Sequence, residues 1–333
     1  MRATLVLLAI TLSGAVWAAP ETYYDAKHFL RNDIYGDQNA GEKASGDLYC
    51  GCHWEWVGRS GGVMDHESCG YQTRALPDRA IRLEWEHIQS VWSFGHQLQC
   101  WREGGSGACR ADPLFNRIDA DLHNLAPAIG EANADRGSYL YGELPGTASR
   151  YGRCDLRIDP ALRTVEPRDA VKGLIARTHF YMSDRYGITL SRLQQKLFMD
   201  WDKRFPVSQW EKERDNRIAK VMGHHNPFVT GQASWTLDRK PGLAGIIKRD
   251  KTVKELFPDL QEASALNEVE KEEIEPFDPT RTEGMVYASR RTGTYFIPTL
   301  CPSYHSIPAR IRVAYRTERE AQSDGYRRDV ECR

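Results

Sequence analysis

Eight cysteines constrain this chain before any other feature: Cys50, Cys52, Cys69, Cys100, Cys109, Cys154, Cys301 and Cys332. All lie downstream of MRATLVLLAITLSGAVWAA, which has one early positive charge, an apolar run from Leu5 to Leu12 and small residues up to Ala19. That pattern predicts a secretory signal over 1–19, cut after Ala18 or Ala19 and too short to span a bilayer. No later stretch approaches about 20 consecutive apolar residues, so no membrane span is expected and the protein should be periplasmic or secreted. In that oxidising setting an even cysteine count favours disulfides over catalytic thiols. Zinc is the rival, but no CxxC pair occurs and Cys50-Gly-Cys52 is tighter than a usual zinc knuckle.

The 333 residues suffice for a medium domain and a smaller one. From Tyr23 to about Asn116 the chain is rich in glycine, aromatic residues and cysteine, which predicts short strands and loops held by crosslinks. Beyond Pro167 amphipathic helices take over: Val171, Leu174, Ile175, Thr178 and Met182 repeat at helical spacing, with Gly187 just past the end. Ser191 should cap a helix carrying Leu193, Leu197 and Trp201 on one face, and Ser208 with Glu211 should open a third that ends near Gly223. We therefore expect a first domain over 20–230, an acidic linker over 231–284 and a small domain over 285–333. The net charge of −1 excludes a global polycation, so any nucleic-acid binding needs a local basic face.

Two segments carry chemistry. RLEWEHIQSVW, residues 82–92, sets Glu84, Glu86 and His87 among Leu83, Trp85, Ile88, Val91 and Trp92. Unpaired charge in such surroundings costs several kcal/mol, about 2–7 for a neutral polar group and more for an ion, so the carboxylates need a partner, a metal or solvent. DLHNLAPAIGEANADRG, residues 121–137, reads as a strand over Leu122 to Ala126 and a helix opened by Pro127 and closed by Gly137. Gly130, Ala132 and Ala134 would let that helix approach a strand, and Asn133 is a poor residue for a helix interior without a role. HExxH is absent, which removes the zincin reading.

EWEH, FGHQLQCW and DLHNLAPAIGEANADRG, with CGC at Cys50 to Cys52 and SCGY at Ser68 to Tyr71, closely resemble the bacterial endonuclease I family from about Tyr23 to His224-His225-Asn226-Pro227-Phe228. The resemblance implies an α+β, disulfide-rich ββα-metal (His-Me finger) nuclease core with amphipathic C-terminal helices. It implies a metal-dependent endonuclease that cleaves DNA, with RNA as a further candidate substrate, without sequence preference and leaves 5′-phosphates. His87 would be the general base, Glu86 and Asn133 would hold one Mg²⁺ or another hard divalent cation, and Cys50 would pair with Cys154, Cys52 with Cys69 and Cys100 with Cys109. Glu86→Ala should then abolish cleavage and Glu84→Ala should leave much of it. The chain departs from the family where an arginine is expected in the Cys100 to Cys109 loop: Ser106 stands there, leaving flanking Arg102 or Arg110, the latter slightly favoured, to steady the cleaved phosphate.

Backbone contacts are sought among the basic residues of the helices, chiefly Arg177, Arg185 and Lys203. The last segment, from Val286 to Cys332, resembles the small Ada-type zinc domain, which would make it a small α/β unit. Asp329 and Ile297 replace two of its usual ligands, which points to a Cys301 to Cys332 disulfide in place of zinc. The expected protein is an exported monomeric nuclease; the alternative is a nucleic-acid-binding or uptake protein on the same fold with weak or no activity.

Overall fold

In the computed structural model the residues described are 19–237, 239–240 and the stretches 286–289, 294–297, 312–315, 318–323 and 326–329. The expected signal, most of the acidic linker, and Cys301 and Cys332 lie outside the described residues.

The chain enters through helix α1, Tyr23–Phe29, capped by Thr22. Strands β1, His53–Val57, and β2, Gly61–Asp65, form an antiparallel hairpin. Strand β3, Leu83–His87, pairs antiparallel with β4, Leu125–Ile129, with His87 opposite Leu125 and Leu83 opposite Ile129. Helix α2, Gly130–Arg136, follows β4 directly and runs back across the pair. The result is the strand, strand, helix unit that the resemblance implied, with the intervening chain inserted between its two strands.

Pro127 does not open this helix but sits inside β4 opposite Trp85. A proline tolerates that place because the sheet has only two strands: its missing N–H faces no second partner, while its carbonyl still accepts from the Leu48 N–H at 2.8 Å. Likewise Leu122 to Asn124 form a 3₁₀ turn where a strand was expected. The small residues behave as anticipated, since a Cβ on Gly130 would stand 2.5 Å from the Arg79 carbonyl and 2.8 Å from Glu84. Gly130 thus allows the contact between helix and strand on which the site depends.

Helix α3, Asp169–Tyr186, is the central helix of the second half, ending at Gly187 in the left-handed region at φ 66°. Helices α4, Arg192–Arg204, and α5, Gln209–Met222, start at Ser191 and Ser208 as the capping patterns predict. Phe198 and Trp201 of α4 are buried, but Leu193 is exposed, so the expected apolar face is shorter by one turn. Trp235 packs in the same core, stacked on Phe180 at 4.8 Å, and Arg239 pairs with Asp184 at 3.0 Å. The first domain therefore extends past 230, and residues assigned to the linker by their position belong to its packing.

Cys50–Cys154, Cys52–Cys69 and Cys100–Cys109 are bonded as the resemblance implied, with Cα separations of 4.7, 4.8 and 4.9 Å. In the C-terminal unit β5, Val286–Ser289, lies between β6, Thr294–Phe296, and β7, Arg312–Tyr315, both antiparallel to it. Helix α6, Glu318–Ser323, then leads to edge strand β8, Arg327–Arg328, parallel to β6. Val286, Ala288, Tyr295 and Ala321 form its small core, which agrees with a small α/β unit.

Candidate active site

The two faces of β3 divide the chemistry. Glu84 and Glu86, two residues apart, share the face that meets α2, while Trp85 and His87 turn the other way. His87 is mostly buried, stacked on Tyr23 at 4.9 Å, and its Nε2 stands 2.9 Å from the Asp119 main-chain carbonyl and 3.1 Å from the Asp119 carboxylate. Both neighbours only accept, so Nε2 carries a proton, and in the neutral ring Nδ1 then keeps the lone pair. Burial works against the imidazolium, but the Asp119 carboxylate outweighs it and raises the His87 pKa above its ordinary value.

Glu86 is buried, its Oε1 accepting from the Tyr49 hydroxyl at 2.6 Å and lying 3.0 Å from Arg136. Burial pushes its carboxyl up, and Arg136 and Tyr49 pull it part of the way back. Arg136 also donates to the carbonyls of His87 at 3.0 Å and Ile88 at 2.6 Å, so one guanidinium fixes both Glu86 and the end of β3. Tyr49 is in turn held by the adjoining Cys50–Cys154 bond and by Tyr141, 2.9 Å from its hydroxyl.

Asn133 donates Nδ2 to Glu84 at 3.1 Å. Glu84 is itself gripped by both ends of the Arg79 guanidinium, at 2.9 and 2.5 Å. Each expected ligand is therefore tied through one atom and leaves an oxygen over: among the described residues no hydrogen bond reaches Oε2 of Glu86 or Oδ1 of Asn133. Two neutral or anionic oxygens with their partner atoms pinned fit a hard divalent cation that keeps several waters. No group of three His, Cys, Asp or Glu suited to a metal occurs among the described residues.

The sequence separates these roles only in part. Glu84, expected to matter less to cleavage than Glu86, is the group that accepts from the Asn133 amide; strand parity was the available signal, since it puts Glu84 and Glu86 on one face. Asp119 and Tyr49 gave no such signal, because each reaches the site from a distant part of the chain, whereas Arg136 stands close to Asn133 in α2 and meets Glu86 instead of the amide. Asp135 pairs with Arg74 at 2.6 Å and receives the Tyr151 hydroxyl. His123 is buried and Asn124 brackets the Gln89 backbone at 2.7 and 3.0 Å.

A model of the family Endonuclease I matches residues 22–232, which is most of the described first domain. The chain belongs to the endonuclease I family and is an endonuclease. It is 46% identical over 188 residues to "Endonuclease-1" of Buchnera aphidicola subsp. Acyrthosiphon pisum (strain APS), covering 56% of this chain and 75% of that protein. It is 45% identical over 186 residues to a "Periplasmic deoxyribonuclease" of Aeromonas hydrophila, covering 56% and 78%. An "Extracellular deoxyribonuclease" of Aeromonas hydrophila is 43% identical over 230 residues, 68% of this chain and 97% of that one. Export follows from such relatives together with the three disulfides. The matched region stops before the C-terminal unit, and nothing in these matches bears on its resemblance to the Ada-type domain.

The expected phosphate contacts fare unequally. Arg177 is buried, its guanidinium spent on Glu211 at 2.7 and 2.6 Å and on Asp202 at 2.7 Å, so it cannot reach a nucleic acid. Arg185 lies largely within the protein beside Asp121 and Tyr186, at 5.6 Å from that ring, and is likewise a packing residue. Lys203 is exposed at the end of α4 and stays available. Arg110 is exposed just past Cys109, and Ser106 is exposed in the helical stretch Gln99–Cys109, which is broken at Gly104 and Gly105.

Proposed function

We propose that this endonuclease hydrolyses phosphodiester bonds of DNA without sequence preference, as an exported monomer, with Mg²⁺ or a similar hard cation held by Glu86 and Asn133. The observation that carries the reading is the placing of His87 Nε2 against two acceptors of Asp119: with the proton of the neutral ring committed there, and no hydrogen bond to Nδ1 among the described residues, Nδ1 can take a proton from an attacking water. Tyr23 restricts the ring and Arg136 fixes the backbone on which it stands, so the base is held in one orientation. Glu86 is kept in place by Arg136 and Tyr49, and Asn133 by Glu84. Glu86 and Asn133 would hold such a cation, which would supply positive charge to offset the charge that builds on the phosphate and the leaving 3′ oxygen. Arg110 is the candidate to steady the cleaved phosphate in place of the arginine that the family has where Ser106 stands.

DNA is favoured because two of the relatives are named as deoxyribonucleases. The experiment is incubation of purified protein with plasmid and with RNA, each with and without chelator, beside His87→Ala. We expect cleavage of plasmid to 5′-phosphate products that chelator and His87→Ala both suppress. Absence of cleavage by the wild type would favour a binding or uptake protein, the reading that Ser106 motivates; cleavage of RNA alone would change the substrate.

A further inference from the structure

The C-terminal unit touches the first domain beside the carboxylate face of β3. The Arg82 guanidinium lies over the Tyr326 ring at 5.5 Å, and the Gln322 carbonyl is 3.9 Å from where a Cβ on Gly58 would stand. Arg82 is one step from the site: its nearest carboxylate is Glu84 at 3.9 Å, and Glu84 is already held by Arg79 while it accepts from Asn133. The Arg82 Nε is buried with no hydrogen-bond partner. Directly after Tyr326, Arg327 and Arg328 are exposed on edge strand β8, and across the seam Arg59 is exposed next to Gly58. None of these three has a carboxylate partner among the described residues. Of Arg59, Arg82, Arg327 and Arg328, only Arg82 lies near a carboxylate among the described residues, and that carboxylate, Glu84, is already held by Arg79.

We propose that the C-terminal unit supplies a phosphate-binding subsite, in which Arg327 and Arg328, continued by Arg59 and Arg82, hold the backbone of duplex DNA next to the site of cleavage. Arginine suits this use because its guanidinium pairs with phosphate oxygens without reading bases. Tyr326 is the positioning residue: its ring on Arg82 sets where β8 lies relative to β3. The inference rests on the nuclease reading given above, and it extends that reading to residues outside the matched family region.

The test uses the full chain. In a His87→Ala background, which binds without cutting, affinity for a DNA duplex is measured as a function of salt for the parent, for R327A/R328A, for Tyr326→Ala and for Tyr326→Phe. Loss of two phosphate contacts should reduce the slope of log affinity against log salt by about 1.8, at roughly 0.9 per contact. Tyr326→Ala should lower affinity in the same direction and Tyr326→Phe, which keeps the ring, should not. An unchanged slope in R327A/R328A overturns the proposal. So does a gain in affinity or cleavage with Tyr326→Ala, which would make the unit a cover, and so does vesicle binding by anionic lipid that depends on these arginines while DNA binding does not. Failure of the wild type to cleave DNA would instead refute the nuclease reading, whatever the salt slopes.

Discussion

Arg177 in α3 and Arg136 in α2 are both buried arginines facing a glutamate, yet they leave their partners in different states. Arg177 closes its cluster: both Glu211 oxygens, the Asp202 carboxylate and the Phe205 carbonyl absorb its donors. Arg136 spends donors on the His87 and Ile88 carbonyls and meets only Oε1 of Glu86. A closed pair holds α3 to α4 and α5; a pair with one oxygen over holds a ligand-ready carboxylate. Buried ion pairs add little net stability against an apolar replacement, so the open pair is better explained by what it positions than by what it stabilises.

The contrast breaks most visibly at the site. His87→Ala should lower the cleavage rate about a hundredfold to ten-thousandfold while leaving the denaturation midpoint near wild type; an equal loss of folding would make His87 a structural residue. Arg177→Ala should do the reverse, costing about 3–5 kcal/mol in urea unfolding because it strands Glu211, with DNA affinity per folded molecule unchanged. A drop in that affinity would restore Arg177 as a phosphate contact.

Acid separates the two kinds of buried group as well. Burial lowers the pKa of His123 and of His179 to about 3, so neither is charged in the folded protein near neutrality. As pH falls below 6.5 the unfolded chain takes up these protons first, and stability is lost between pH 6.5 and about 3. The loss is at most about 1.4 kcal/mol per pH unit for each histidine. Urea midpoints at pH 7 and pH 5 measure it, and His179→Gln should flatten the slope. The smallest effect belongs to Glu84: Glu84→Ala should weaken cation binding about tenfold by freeing the Asn133 amide, read by titration calorimetry with Mn²⁺. No change would show that Asn133 needs no such support.

Much of this was legible along the chain because the determinants are local. Caps at Ser191 and Ser208, Gly187 past α3, and the small Gly130 are each set by the backbone needs of their own turn. The site was legible through motif order, which the fold brings together by pairing β3 with β4 across the inserted chain. Arg177 misled because charge in a helical sequence looks like surface until the opposing helix supplies its carboxylate. Pro127 misled because a helix start and an edge strand both tolerate a missing N–H.

By itself the sequence determined the crosslinked strand, strand, helix core, the capped helices, and the identity of His87, Glu86 and Asn133 as the residues worth watching. Only the tertiary structure decided which atom of each is free: Nε2 of His87 is taken by Asp119, Oε1 of Glu86 by Tyr49 and Arg136, Nδ2 of Asn133 by Glu84. The reason is that a residue type fixes which donors and acceptors exist, whereas their pairing depends on groups that lie close in space and far apart in sequence.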